Sequence, residues 1–249
     1  MRVYVLQHDA SEVPLQDDWL SEAEIARLTQ FRFPKRRADW RLGRWTAKRA
    51  VALYLDRLLL PSHLAEIEVH PLPGGAPQAV VAGKPAPVAI SLSHRSGKAI
   101  CAVGPEDSML GCDLELVEPR SAAFVEDYFT LGEQDAIAHT SRLEQMVLAC
   151  LLWSAKESTL KAMQVGLRLD PRALTVLRID NKPGSAAPGL ARLNAACQQT
   201  RPLSNWNELL VRSSTGRLFK GWWTNWNTFL ATLVGHPAPS YPFRLPYQS

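Results

Sequence analysis

The first hundred residues alternate between strand-like and helix-like patterns of apolar and polar positions. The opening MRVYVLQHDA has the two-residue period of a strand. Ser21 and Glu24 then form a capping-box pattern, which predicts a short helix ending near Phe31. A longer helix is predicted over about 36–60, where Pro61 ends it. The Pro- and Gly-rich segment after it, HPLPGGAPQAVVAGKPAP, predicts a loop with one short strand.

The middle of the chain has the clearest strand pattern. VAISLSH and KAICAVG are short apolar runs joined by RSG, which predicts a hairpin. SMLGCDLELV follows after a turn and predicts a third strand. The three segments together predict a three-stranded meander over about 88–117.

The C-terminal part repeats this order of helices and strands. Capping boxes at Thr130 and Ser141 predict two helices, the second reaching about Met163 and closed by Gly166. Further apolar segments predict an antiparallel sheet with turns at NKPGS and STG: RALTVLRI, WNELLVRS, RLFKGWWTN and TFLATLVG. Four prolines after His236 predict a tail that is either an extended strap or disordered.

Strand, helices and strands thus occur once before about residue 105 and again after it. We therefore expect an α+β fold of two similar lobes, 1–105 and 106–235, packed as a pseudo-dimer, with a Pro-rich tail over 236–249. Each lobe should contain an antiparallel sheet and a long helix. No sequence repeat is apparent between the two halves.

Composition sets wider limits on the function. A chain of 249 residues with 46% hydrophobic content can bury a sizeable core without metals or disulfides. The net charge of +4 favours acidic partners such as phosphorylated ligands, acidic proteins or nucleic acid, but does not choose among them. Its four cysteines lack the spacing of a zinc site or a disulfide framework, and no apolar run is long enough for a signal peptide or membrane span. We expect a cytoplasmic protein with no membrane partner.

Four charged residues have spacings that suggest chemistry. Asp113 and Glu115 lie two residues apart on a predicted strand and share a face, and Glu157 and Lys161 lie one turn apart on a predicted helix. If Glu157 faces the strand, each carboxylate pair at about 4 Å repels by about 4 kcal/mol at an effective dielectric of 20, so a cation is needed. Oxygen-only ligands suit Mg²⁺, and Lys161 could hold a phosphate oxygen.

Each of these motifs also has a plain structural interpretation. An acidic pair on a strand is common, and Glu157 with Lys161 could be an ordinary surface ion pair. Ser93 and His94 at the end of a strand could simply satisfy backbone groups of a turn. Lys156, Ser158 and Thr159 are interpreted as solvated, and Trp153 as a core residue beneath the site.

Taken in order, three segments resemble the 4′-phosphopantetheinyl transferases, specifically the two-lobed monomeric type that acts on carrier proteins of nonribosomal peptide and polyketide synthases. The segments are ISLSH, GCDLELV and WSAKESTLKA, with a further match upstream from EIARLTQF to TAKRAV. The resemblance covers most of residues 20–170. It implies a monomeric enzyme that moves the 4′-phosphopantetheine arm of coenzyme A to a serine of an acidic apo carrier protein and releases 3′,5′-ADP.

The resemblance also implies roles for individual residues. Asp113, Glu115 and Glu157 match Mg²⁺ ligands, and Glu157 also matches the general base. The implied contacts with the phosphates of coenzyme A come from Lys161, Ser93, His94, Arg27 and, less directly, Arg44.

One departure from the family pattern concerns a lysine upstream of the Ser-His pair. The family has Gly-Lys-Pro there, whereas this chain has Ala76 at the best-placed match. Lys84, in a second Gly-Lys-Pro only ten residues before His94, either takes over the contact or leaves it to another residue.

Two other classes of function remain open on the residues alone. A metal-dependent phosphodiesterase or nuclease could use the same carboxylates and lysine. A non-enzymatic basic module could bind nucleic acid or a carrier protein through the Arg-rich helix over 35–49. We expect no nucleic-acid partner, because no DNA- or RNA-reading motif is recognisable.

Overall fold

A computed structural model of the chain describes residues 1–179, 205–226 and 228–245. Helices and mainly antiparallel sheets are both present, which confirms the α+β class. The predicted turn NKPGS lies outside the described residues. Within those ranges, no helix has the length and apolar character needed to cross a bilayer.

The secondary structure comprises six helices and twelve strands over the described ranges. The helices are α1 (Glu22–Leu28), α2 (Pro34–Tyr54), α3 (Pro61–Ala65), α4 (Ala122–Tyr128), α5 (Leu131–Ala138) and α6 (Arg142–Ala162). The strands are β1 (Tyr4–Asp9), β2 (Ile67–Pro71), β3 (Pro77–Val81), β4 (Lys84–Pro85), β5 (Val88–Arg95), β6 (Lys98–Pro105), β7 (Met109–Leu116), β8 (Leu174–Ile179), β9 (Asn207–Ser213), β10 (Leu218–Trp226), β11 (Phe229–His236) and β12 (Phe243–Arg244).

The N-terminal half is built on a four-stranded sheet in the order β12-β1-β6-β5. Helix α2 packs across β1, β5 and β6 and buries its apolar face there. The tail prediction is settled for its described part: β12 pairs parallel with β1, and Leu245 is buried in the core under α2. The tail is therefore an extended segment up to that residue.

The C-terminal half is built on a five-stranded sheet in the order β7-β11-β10-β9-β8, with α6 packed across β7 and β11. The predicted meander is therefore wrong in its third strand, because β7 pairs with β11 instead of β6. Both edges of β6 are already paired, with β1 and β5. Where β5 runs beside β7, the Cys112 amide donates to the Ser91 hydroxyl, at 2.9 Å. A side chain thus joins the two sheets at this point.

Helix α2 and the segment after it also differ from the prediction. The helix ends at Tyr54 instead of residue 60, and Asp56 adopts a left-handed φ of 52°, which no regular helix allows. Pro61 begins α3 instead of ending α2, as its missing N–H permits at a first helical turn. The predicted loop is a small sheet in the order β2-β3-β4.

Helix α6 ends almost where the sequence predicts, but the residue that closes it is not the predicted one. Gln164, with φ of 57°, has the left-handed conformation after the last turn. Its amide donates to the Lys161 carbonyl at 3.0 Å, and the Val165 amide donates to the Leu160 carbonyl at 3.1 Å. These two bonds are the usual pair that closes a helix, so Gly166 is not the closing residue.

Each long helix carries a fully buried lysine, and the solvated interpretation of Lys156 is wrong. Its ammonium lies 2.7 Å from Glu133, the capping-box glutamate of α5, and donates to the Tyr128 carbonyl at 3.0 Å. Ser158 and Thr159 are buried as well. The reason is that α6 packs against its sheet on one side and against α5 on another. The sequence pattern alone is interpreted as a helix with only one buried face.

The same arrangement recurs in the N-terminal half. Lys48 of α2 is fully buried, pairs with Glu24, the capping-box glutamate of α1, and donates to the Trp19 carbonyl at 2.9 Å. The two lysines belong to a short repeat, Trp-Thr-Ala-Lys at 45–48 and Trp-Ser-Ala-Lys at 153–156, at equal distances from their helix starts. A sequence repeat therefore exists, although the lobe boundaries and the pseudo-dimer remain predictions.

Candidate active site

The candidate site lies where β5, β7 and α6 meet, and Gly111 allows β7 and α6 to approach. A Cβ at Gly111 would collide with the Ser158 carbonyl oxygen on α6. From the same helix, the Ser158 hydroxyl hydrogen-bonds to Thr232 of β11 at 2.6 Å. The close approach at Gly111 thus sets α6 directly against β7, the strand that carries the acidic residues, and the Ser158 hydrogen bond holds the helix to the neighbouring β11.

Asp113 lies at the centre of the site and is 4% exposed. Its Oδ1 accepts hydrogen bonds from the Ser93 hydroxyl at 2.9 Å and the Lys161 ammonium at 2.7 Å. Its Oδ2 is buried and has no hydrogen-bond partner in the described structure. Residues predicted from three separate segments are therefore in direct contact.

Lys161 is held by two acceptors. Besides Asp113, its ammonium donates to the Cys112 carbonyl at 3.2 Å. Burial is the largest single influence on the pKa of Lys161 and lowers it, but the charge and hydrogen bond of Asp113, together with Cys112 and Glu157, outweigh burial and leave the pKa raised. The side chain as a whole is 29% exposed, so Lys161 lies at the edge of the site while its ammonium is held by Asp113 and Cys112.

Glu115 points to the same region but has a partner on each oxygen. Oε1 accepts from the Trp153 indole at 3.1 Å, and Oε2 accepts from Arg120 at 3.0 Å. Burial and then the charge of Asp113 raise the pKa of Glu115, while Arg120 opposes the shift. Trp153 is only partly buried and contacts the site directly, so the prediction of a core residue beneath it is inexact.

Glu157 has no hydrogen bond or ion pair among the described residues. Burial is the main cause that raises its pKa, and the charges of Asp113 and Glu115 raise it further. Lys161 acts in the opposite direction. The three carboxylates are thus near enough to influence one another's pKa.

The predicted metal ligands do not form a closed cluster in this arrangement, and the metal stays a prediction. As the side chains stand, no three His, Cys, Asp or Glu residues of the described ranges gather closely enough to hold a metal ion. The unpartnered Oδ2 of Asp113 and the free carboxylate of Glu157 nevertheless provide the hard oxygen donors that Mg²⁺ prefers. The donor chemistry therefore fits a divalent cation, whose ligands would be drawn from the three carboxylates.

His94 lies at the exposed end of β5, beside the site. Desolvation lowers its pKa, the charge of Lys161 lowers it further, and Asp39 of α2 opposes the shift. The imidazole is therefore mainly neutral at pH 7. Its charged neighbours are Asp39 of α2 and Lys161, and its predicted contact with coenzyme A stays a prediction.

Arg27 and Arg44 form a separate basic group in the N-terminal half. Arg44 lies 3.6 Å from Glu24 and over the Trp40 ring, and burial lowers its pKa, with the charge of Arg27 adding to the shift. Arg27 is exposed and donates to Gln30 at 2.9 Å. Among the described residues, no hydrogen bond or ion pair joins either arginine to Asp113, Glu115 or Glu157.

The other candidate lysine lies in the small sheet. Lys84 is an exposed residue of β4, and Ala76 is half-buried just before β3. The replacement of the family's lysine by Lys84 or by another residue stays a prediction.

Sequence reasoning missed Arg120 entirely. This arginine follows β7 in the segment VEPR, and its guanidinium is largely buried against Glu115. The only sequence signal for it is a positive charge five residues after Glu115, directly after a proline, where a turn is expected.

Comparisons with known proteins found a family model and a solved structure that are similar to parts of this chain. A family model described as the 4′-phosphopantetheinyl transferase superfamily matches residues 109–209, the segment that contains β7 and α6. A crystal structure of Helicobacter pylori holo-[acyl-carrier-protein] synthase in complex with coenzyme A is similar at 16% identity and a TM-score of 0.33, covering 41% of this chain and 96% of that one. No curated protein matches the sequence.

Proposed function

We propose, from the match of residues 109–209 to the model of the 4′-phosphopantetheinyl transferase superfamily, that this chain transfers the 4′-phosphopantetheine arm of coenzyme A to a serine of an apo carrier protein. The observation that supports it best is the contact of Ser93 and Lys161 with one oxygen of Asp113, beside a second, unpartnered oxygen. A lysine and free carboxylate oxygens at one opening suit a pyrophosphate and a divalent cation.

Phosphoryl transfer requires positioning and charge neutralisation more than covalent chemistry from the protein. Mg²⁺, held by residues among Asp113, Glu115 and Glu157, would supply neutralisation of the pyrophosphate charge. Lys161, with its raised pKa, stays protonated and stabilises the negative charge that develops on the leaving 3′,5′-ADP.

Glu157 is suited to accept the proton of the carrier serine. Its pKa is raised by burial and by Asp113, which makes its carboxylate a stronger base than an ordinary glutamate. As the proton moves to Glu157, the serine oxygen bonds to the phosphorus that bears the pantetheine arm, and the bond from that phosphorus to the bridging oxygen of 3′,5′-ADP breaks. The nucleophile belongs to the partner, so this chain needs none of its own.

Coenzyme A would extend from this opening toward the N-terminal half. Ser93 and the neutral His94 can hydrogen-bond to its pyrophosphate, and Arg44 and Arg27 provide positive charge for the remaining phosphate. Lys84 is a further candidate for that contact.

The partner would be an acidic carrier protein, of nonribosomal peptide or polyketide synthesis as the motifs suggest. The chain carries a net charge of +4, and Arg32, Lys35, Arg36 and Arg37 are exposed at the start of α2. Such positive charge raises the association rate with an acidic partner. The attraction acts over about one Debye length, which is about 8 Å at physiological salt. We place the enzyme in the cytoplasm as a monomer; buried free thiols at Cys101, Cys112 and Cys150 suit a reducing compartment.

Mass spectrometry of purified apo carrier proteins tests this function. Incubation with the chain, coenzyme A and Mg²⁺ should add about 340 Da to the carrier, the mass of the esterified arm. Carriers whose acceptor serine is replaced by alanine provide the control and should gain nothing. The function is wrong if fatty-acid, polyketide and peptide carriers all keep the apo mass, and cleavage of plasmid DNA with Mg²⁺ would instead favour a nuclease.

A further inference from the structure

Glu115 differs from the other two carboxylates of the site in how its oxygens are used. Asp113 keeps Oδ2 without a partner, and the Glu157 carboxylate has no partner among the described residues. Both oxygens of Glu115, in contrast, accept hydrogen bonds, from Trp153 and from Arg120. Glu115 is therefore the carboxylate least available to a cation.

The partners of Glu115 contact each other through a fourth side chain, so that the contacts form a closed ring. The Arg120 guanidinium lies over the Phe124 ring, 5.0 Å from its centroid. Phe124 packs edge-on against Trp153 with ring centroids 5.0 Å apart, and the Trp153 indole returns to Glu115. Four side chains from β7, the following loop, α4 and α6 thus hold one another in place.

The charge of Glu115 is also compensated locally. Arg120 lies 3.0 Å from Glu115 and 3.7 Å from Glu118, and Glu118 in turn accepts from Arg95 of β5 at 2.6 Å. Two carboxylates and two guanidinium groups alternate along this chain of contacts. The charge of Glu115 is therefore compensated by Arg120, as that of Asp113 is by Lys161, whereas Glu157 has no ion pair among the described residues.

The ring connects the two elements that carry the available oxygens. Glu115 lies on β7 two residues after Asp113, and Trp153 lies on α6 one turn before Glu157. A hydrogen bond from the Trp153 indole to Glu115 therefore fixes the distance between the strand and the helix at the level of the site.

We propose that Glu115 is a positioning residue that joins β7 to α6, with Arg120 as its counter-ion, and that Asp113 and Glu157 bind the divalent cation directly. This inference rests on the proposed function for the presence of a cation, and it differs from the three-ligand set that the family resemblance implies. Partners of this outer kind orient ligands without touching the metal, and losing one typically weakens metal binding by about 10-fold to 100-fold.

Titration with Mn²⁺, followed by electron paramagnetic resonance, tests the assignment without any transfer reaction. The decisive variant is the double change Glu115→Gln and Arg120→Gln, which removes one charge of each sign and keeps an acceptor oxygen for Trp153. Its Mn²⁺ affinity should stay within about threefold of wild type, whereas Asp113→Asn and Glu157→Gln should each lose more than about 100-fold. Thermal unfolding of each variant serves as the control for folding.

A second set of variants tests the link to α6. Glu115→Ala and Trp153→Phe should each weaken Mn²⁺ binding by about 10-fold or more, and the double variant should lose no more than the worse single one, because both remove the same hydrogen bond. Fully additive losses would contradict the link. Loss of more than about 100-fold in the Gln-Gln variant would show Glu115 to be a ligand.

Absence of Mn²⁺ binding by the wild-type chain would overturn the inference as a whole. The mass shift of the carrier protein would still decide the proposed function, because that experiment reports transfer and not metal affinity. The two proposals therefore fail in different measurements.

Discussion

The two halves of the molecule have similar frameworks but different chemistry. Helices α2 and α6 are each 21 residues long and each bury a lysine against the capping-box glutamate of a preceding short helix. The positions that form the site in the C-terminal half have other residues in the N-terminal half. Positions are compared at equal distances from the starts of the two long helices. On β1 and β7, Val5 corresponds to Asp113 and Gln7 to Glu115; on α2 and α6, Arg49 corresponds to Glu157 and Leu53 to Lys161.

The difference separates residues that build the scaffold from residues that react. Lys48 and Lys156 recur because a buried ammonium that is bound by a carboxylate and by backbone carbonyls can join its helix to the preceding short helix in either half. The carboxylates and Lys161 occur in one half only, as expected if the chemistry requires a single opening. The N-terminal half would then supply contacts to coenzyme A.

The largest expected effect follows from removing a reacting carboxylate. Glu157→Ala and Asp113→Ala should each reduce transfer by more than about 1000-fold, or about 4 kcal/mol of activation free energy. Intact-mass time courses of the carrier protein measure this loss. Arg49→Gln, at the position of α2 that corresponds to Glu157, is the matched control and should stay within about twofold. Equal losses in both halves would remove the distinction between them.

The buried lysines should give the next largest effect, this time on stability and in both halves. Glu133→Ala and Glu24→Ala each leave a buried ammonium without its carboxylate, which costs about 3 to 5 kcal/mol of unfolding free energy. Urea unfolding followed by circular dichroism measures both. A large loss in one variant and none in the other would contradict the shared framework.

Gly111 provides a smaller, mixed effect confined to the C-terminal half. Gly111→Ala should push α6 away from β7, because the added Cβ meets the Ser158 carbonyl, and overpacking of this kind costs about 1 to 3 kcal/mol. Transfer should fall with stability, since Glu157 moves with the helix. Gly132→Ala, where a Cβ meets nothing, is the control. An unchanged unfolding free energy for Gly111→Ala would show that the helix is not held closely here.

The smallest effects are expected at the coenzyme contacts of the N-terminal side. His94→Ala and Arg27→Ala should mainly raise the KM for coenzyme A by about 3-fold to 10-fold, with less change in kcat, because they bind phosphate groups away from the reacting bond. Steady-state kinetics with varied coenzyme A separates the two constants. Unchanged KM values for both variants would contradict their placement.

Local sequence rules predicted what depends on neighbouring residues in the chain. The capping boxes at Ser21, Thr130 and Ser141 all begin helices, and the hairpin at RSG forms with Ser96 and Gly97 in left-handed conformations. Spacing on a strand and a helix also sufficed to bring Asp113 and Lys161 into contact. These features require only short-range geometry.

Pairing and burial over long distances could not be predicted in the same way. Strand β7 pairs with β11, about 120 residues later in the chain, and not with the strand before it. This pairing depends on which sheet edge is free. Lys156 looks like a surface residue until α5 and the Pro171 carbonyl are known to cover it. Arg120 has no motif at all, because its role comes from the ring that it closes with Phe124 and Trp153.

Equilibrium binding of coenzyme A in the presence of Mg²⁺, measured by isothermal titration calorimetry, tests most directly whether only one half carries the chemistry. One molecule should bind per chain, and Glu157→Ala should retain that stoichiometry while losing transfer. Binding of two molecules per chain, or transfer that survives in Glu157→Ala, would contradict the account.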